Sequence, residues 1–225
     1  MSSIREQLGP WLLLALVVTL SACTSPVETQ RVPLTVHATS AAYPWLETAY
    51  DCTPADAAVV LSDDPEADLL IRLGEPGQLL TPAYQIGSED VLIVTHPQVG
   101  VAALSTSQAG ALFAGQARNW REVGGSDLPV EVWTYDPSVD LQLELDRGIL
   151  HGRPVSSLAR LAVSAQHMSD SVGAVPGSIG LLSRRWKAGN THEVLVIGSV
   201  PVLAITPAEP AGALARLIAC MQGAQ

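Results

Sequence analysis

Positive charge is scarce in this 225-residue chain: 12 lysine and arginine residues stand against 22 acidic ones, a net charge of −10. A nucleic-acid partner needs a basic face to displace counterions, so that class is excluded. The densest basic spot, Arg184-Arg185-Trp186-Lys187, reads as a solvated loop rather than a binding patch. The chain also lacks Gly-x-Ser-x-Gly, a phosphate-binding loop, a dinucleotide fingerprint and Cys-x-x-Cys, which removes the usual signatures of an enzyme or a cofactor. His192-Glu193 has no second histidine four residues on, as a zinc-protease helix requires. His37, His96, His151 and His167 are scattered and read as surface or packed residues, and Asp63-Asp64 as solvated turn acids, so no metal is expected. There is no internal repeat, and the apolar block at residues 11–20 is too short to cross a hydrocarbon core, which takes about twenty helical residues.

That block instead reads as the apolar region of a signal peptide. It ends in Leu20-Ser21-Ala22-Cys23, which resembles the bacterial lipobox. The resemblance implies removal of residues 1–22, lipidation of Cys23 and a membrane anchor without a spanning helix. Acyl chains contribute about 0.8 kcal/mol per buried methylene to such an anchor. A soluble N-terminal helix ending at a buried cysteine is the other reading. Residues 23–30, with Pro26, form a polar tether. Lipidation of Cys23 leaves Cys52 and Cys220 as a pair, so a disulfide is expected in an oxidising, extracytoplasmic compartment. Two buried free thiols are the alternative.

Beyond the tether, short β-branched runs alternate with helical patterns. Strands are predicted at 33–37, 57–61, 68–73, 89–94, 130–134, 172–175, 179–182, 194–197 and 202–205. Helices are predicted at 43–50, 106–114, 140–147 and 157–166, the last burying Leu158, Leu161 and Ala165. Ser105 and Gln108 make a capping box, and Gly115 is placed to end that helix. A final helix opens at Pro210, with Leu214, Leu217, Ile218 and Met221 along one face and Cys220 near it. The alternation predicts an α/β sheet buried on both faces.

Several stretches together resemble the substrate-binding proteins of phosphate ABC transporters: Val91-Leu92-Ile93-Val94-Thr95-His96-Pro97, Leu104-Ser105-Thr106-Ser107-Gln108, Leu112-Phe113-Ala114-Gly115, Asn119-Trp120, Val123-Gly124-Gly125 and Pro176-Gly177-Ser178-Ile179-Gly180. The resemblance implies a type 2 periplasmic binding protein fold, two α/β lobes about a cleft. Residues 31–95 with 177–225 would form one lobe and 96–176 the other, and a Cys52–Cys220 bridge would fasten early and late parts of the same lobe. The first lobe is expected to be shortened, because residues 57–73 leave no space for the family's helix between its second and third strands.

Such proteins hold a dehydrated anion with hydroxyls, helix N-terminal amides and one arginine, through an Arg followed by Ser-Gly-Thr. The matching residues here are Tyr135, in the arginine's place, and Val139-Asp140-Leu141. Val and Leu offer no hydroxyl, and Asp140 presents its own carboxylate to the amides, so tight phosphate binding is not expected. Thr39, Ser40, Ser62 and Asp63 on one side, with Tyr135, Asp136, Ser138 and Asp140 opposite, are the candidate lining for a neutral or cationic ligand. Turn and cap chemistry is the other reading of the same residues. The first expectation is a lipid-anchored solute-binding protein working with an ABC permease. The second is a degenerate lipoprotein of this fold acting through protein contacts, and the third an extracellular hydrolase.

Overall fold

The computed structural model describes residues 31–187 and 189–224. The apolar block, Cys23 and the tether lie outside the described residues. Among the described residues no helix is long and apolar enough to cross a membrane.

Two long strands, β4 (Ala83–Thr95) and β8 (His192–Ile205), pair antiparallel along their whole length. Everything else hangs on the two ends of this ribbon. At one end, β1 (Val32–Ala38), β2 (Ala57–Leu61) and β3 (Leu69–Leu73) join through β3, whose residues 70–73 pair with 202–205 of β8. At the other, β7 (Ser178–Ser183) pairs with 91–95 of β4 and continues to β5 (Glu131–Thr134) and the edge strand β6 (Arg160–Leu161). The order is β2-β1-β3-β8-β4-β7-β5-β6. Register shifts in the ribbon at Gln85/Gly87, Val91/Leu92 and Ile93/Val94 are bulges, which bend and twist a strand pair. Val91, Leu92, Ile93 and Val94 are all fully buried, so both faces of the ribbon are covered there, as a continuous apolar run predicts.

Parallel neighbours normally need a crossover of a dozen or more residues, yet residues 62–68 suffice between β2 and β3. The register explains the economy. Leu61 at the end of β2 and Leu69 at the start of β3 both stand opposite Val36 of β1, so the chain steps across β1 at one level without returning to its start. Asp68 completes the step: its carboxylate accepts from the Thr35 amide at 2.8 Å and the Thr35 hydroxyl at 2.7 Å, standing in for the strand that has not yet begun.

The helices pack on this frame. α1 (Leu46–Asp51) follows β1, and α2 (Thr106–Phe113) begins at the expected box, with the Gln108 amide donating to Ser105 Oγ and the Ser105 amide to Gln108 Oε1. α3 (Asp140–Leu145) runs on into a π-turn at Asp146–Leu150. α5 (Gly212–Gly223) buries Ala213, Leu217, Ile218 and Met221. Cys52 and Cys220 form a disulfide with Cα atoms 5.5 Å apart, fastening α5 to the end of α1.

Two expectations change. Ser164 caps the amide of His167, so the helix expected at 157–166 starts later, as α4 (Ala165–Ala174). It takes in Val172, expected in a strand, and leaves Leu158 at 79% and Leu161 at 58% exposure beside the edge strand, with only Ala165 of the expected face buried. The strands expected at 194–197 and 202–205 are one, β8. Pro201 lies inside it, one residue past the Val202 end of the β3 ladder, and its carbonyl accepts from the Gly74 amide at 2.8 Å. β7 stands beside β4 and β5, and it is β8 that reaches β3 at the first end.

The disulfide spans a sequence separation of 168, a loop to which the chain-entropy model assigns about 5 kcal/mol as an upper figure. Replacing both Cys52 and Cys220 by Ser is expected to lower unfolding stability by roughly 2–5 kcal/mol in denaturant titrations. An unchanged midpoint would remove the bridge from the account of stability.

Candidate functional site

The candidate site is where β1 and β3, at one end of the sheet, meet α3 from the other. Asp140, the first residue of α3, is 2% exposed. Its Oδ2 accepts from the Thr39 hydroxyl at 2.6 Å and from the Leu73 amide at 3.0 Å, while Oδ1 accepts from the Leu141 amide at 3.1 Å. A buried carboxylate is costly unless hydrogen bonds replace its water, and these three do so. Beside it lies Arg72 of β3, whose Nε is buried without a hydrogen-bond partner among the described residues. Burial pulls the Arg72 guanidinium below the ordinary arginine range, and the charge of Asp140 acts the other way.

Ser40 makes a second crossing between the same ends. Its Oγ accepts from the Ala165 amide at 2.8 Å, and its carbonyl accepts from Trp186 Nε1 at 3.0 Å. A third comes from Arg147, which donates to the Glu75 carbonyl at 3.1 Å while paired with Glu144 at 2.8 Å. Next to Ser40 a cavity of about 300 Å³ is lined by Ala38, Tyr43, Ser164, Gln166 and Trp186, at the lower limit for a small-ligand pocket.

The remaining expected residues divide plainly. Ser62 and Asp63 lie in the step between β2 and β3. Ser62 Oγ accepts from the Asp64 amide, its carbonyl meets His37 Nδ1, and neither residue bonds to the Asp140 cluster. Tyr135 is 3% exposed and donates its hydroxyl to the Leu181 carbonyl at 3.0 Å, so it is a core residue and lines nothing open. Asp136 and Ser138 form a local turn in which the Ser138 hydroxyl and amide hold the Asp136 carboxyl below its ordinary value. Thr39, Ser40 and Asp140 are therefore the three that the fold uses to join its ends. Arg72 was not among the expected residues, although a lone arginine in the apolar run Leu69-Leu70-Ile71-Arg72-Leu73 was a signal for it.

The basic spot at 184–187 is not simply solvated. Glu89, 4% exposed, accepts from the Arg185 amide at 2.9 Å and from Trp45 Nε1 at 3.2 Å, and it pairs with Arg185 Nε at 3.3 Å. The Arg185 guanidinium lies 4.1 Å over the Trp45 ring. Arg184 pairs with Asp90 at 2.9 Å and Glu193 at 3.0 Å. Both arginines thus grip the ribbon beside its central bulge and offer no free cation to a ligand. Gly87 is required here, because a Cβ would overlap the Trp45 ring.

No protein-family model matches the chain. The phosphate-binding protein PstS of Bacillus subtilis (strain 168) is 24% identical over 174 residues, 65% of this chain and 57% of that protein. A putative phosphate ABC transporter substrate-binding protein with bound phosphate from Clostridium perfringens superposes with a TM-score of 0.76 at 15% identity, over 84% of this chain and 92% of that one. In fold the chain is similar to that phosphate-binding protein. An ABC-type phosphate transport receptor from Vibrio cholerae gives a TM-score of 0.65 at 15% identity, over 84% and 93%. At these identities the structural matches establish the fold alone, and function has to be argued from the chain's own site.

Tyr135 provides a test of the packing behind that site. Burial, with the charge of Asp140 adding to it, raises its phenol above the ordinary tyrosine value of 10.0. The folded state therefore holds this proton more tightly than the unfolded one, so its contribution is complete below that value and is lost as pH rises through it. Tyr135→Phe is expected to cost about 1 kcal/mol at neutral pH and to flatten the fall in stability above pH 10. Parallel alkaline unfolding curves for the two proteins would contradict this.

Proposed function

We propose that the chain is a lipid-anchored, extracytoplasmic substrate-binding protein of an ABC-type uptake system, with phosphate binding altered or lost. The two ends of the sheet are its lobes, the β4–β8 ribbon is its hinge, and Cys23 is its anchor. The likeness to PstS and to the two phosphate-transport receptors supports the class, a binding protein rather than an enzyme. The chain spans 57% of the length of PstS, so ligand, permease partner and location are part of the proposal.

The observation that carries the altered specificity is the Asp140 carboxylate. By the resemblance of residues 135–141 to the phosphate-gripping segment, Asp140 stands where a hydroxyl-rich turn would receive an anion. There it already takes the Thr39 hydroxyl and the Leu73 amide. A phosphate brought to these donors would meet a fixed negative charge in a poorly solvated place. The open space next to Ser40, Tyr43 and Trp186, which Asp140 does not line, suits a small neutral ligand.

A second reading, a lipoprotein that works through protein contacts without a solute, is favoured by the same donors being satisfied from within the chain. Calorimetric titration of the purified full chain with phosphate is expected to show no binding, and submicromolar affinity would overturn the altered specificity. A thermal-shift screen of sugars, amines and oxyanions separates the two readings: a ligand that raises the melting temperature supports uptake, and uniform silence supports the second. Cys23→Ser is expected to move the protein from the membrane to the soluble fraction. Retention on the membrane would refute the anchor.

A further inference from the structure

We propose that Asp140 is a tethered ligand: a carboxylate carried by the chain itself that closes the two ends of the sheet on each other in place of a captured solute. The proposal rests on the reading above, that the anion position of a binding-protein-like chain is filled. A solute closes a two-lobed protein because it contacts both lobes at once and so favours the state in which both contacts exist. Asp140 meets that requirement. It belongs to α3, on the β5–β7 end, and one of its oxygens takes a hydroxyl from Thr39 after β1 and an amide from Leu73 in β3, both on the far end.

The chemistry is that of a captured anion. Hydroxyl and backbone amide converge on one oxygen, the group is nearly out of water, and a half-buried guanidinium, Arg72, lies alongside. Being attached, this anion acts at the effective concentration of an intramolecular group and cannot diffuse away. The closed arrangement is then the resting state. Ser40 and Arg147 make their own crossings only once the ends have met, since their partners Ala165, Trp186 and Glu75 lie across the same boundary. The surface that a solute would normally switch on is therefore displayed continuously, and Asp140 sets both the specificity and the conformation.

Trp186 reports closure from a point away from Asp140, through its bond to the Ser40 carbonyl. The test is fluorine NMR of the full chain carrying 5-fluorotryptophan, with the Trp186 resonance assigned from Trp186→Phe, alongside the radius of gyration from small-angle scattering. In the unsubstituted protein both are expected to be the same with and without phosphate. Asp140→Ala is expected to shift Trp186 to a solvent-exposed position and to increase the radius of gyration. Thr39→Val keeps the carboxylate and removes one donor, so it is expected to move the same resonance part of the way. Should Asp140→Ala fail to fold, Thr39→Val alone decides. Folded variants with Trp186 and the radius unchanged would overturn the latch. Phosphate binding to the unsubstituted protein would bring down the altered specificity instead, and that failure is read by calorimetry, separately from the spectra.

Discussion

The antiparallel pairing of β4 with β8 is the constraint on which the rest depends. Each end of the sheet is built on a different stretch of the same ribbon, β3 on residues 202–205 of β8 and β7 on residues 91–95 of β4. Had the two strands paired only at one end, the β1–β3 and β5–β7 groups would share no hydrogen-bonded frame. The bulges between them allow the ribbon to bend without losing the ladder on either side. Glu89 and Arg185 brace it at the bend, and the buried Glu89 carboxylate has the hydrogen bonds it needs from Trp45 and the Arg185 amide.

That frame determines which side chains can meet. Thr39 and Asp140 are 101 residues apart in sequence, and their bond exists only because the end of β1 and the start of α3 face each other across the ribbon. At that meeting place the Asp140 carboxylate already holds the Thr39 hydroxyl and the Leu73 amide. The Asp140 charge dominates the electrostatics there, because a fixed charge in poor solvent repels other anions that the surrounding donors would attract.

Much of the architecture was readable from local chemistry. The capping box at Ser105 and Gln108, the run Val91-Leu92-Ile93-Val94 and the apolar face of α5 were visible because each is decided within a few residues. Residues 157–166 misled because Leu158, Leu161 and Ala165 match a helical face, whereas the Ser164 cap and the pairing of Arg160 with Trp133 decided the outcome. The return of the chain through β8 was hidden for a different reason: Pro201 and Gly198 look like a break until the place where the β3 ladder ends is known. In the candidate site, the family resemblance pointed to Thr39, Ser40 and Asp140 as cleft lining, and the structure shows them bonding between the two ends of the sheet. The inward turn of Tyr135 did not, because a tyrosine carries both a core-filling ring and a polar tip, and only tertiary packing selects between them.

The Cys52–Cys220 bridge ties α1 to α5, so the ring it closes contains the whole of the β5–β7 end. A single proteolytic cut in any loop of that end leaves both fragments covalently joined, and the nicked protein keeps its mass until it is reduced. Cleavage outside the ring, before Cys52 or after Cys220, leaves a piece with no covalent tie to the rest. The molecule thus tolerates cleavage best in its β5–β7 end.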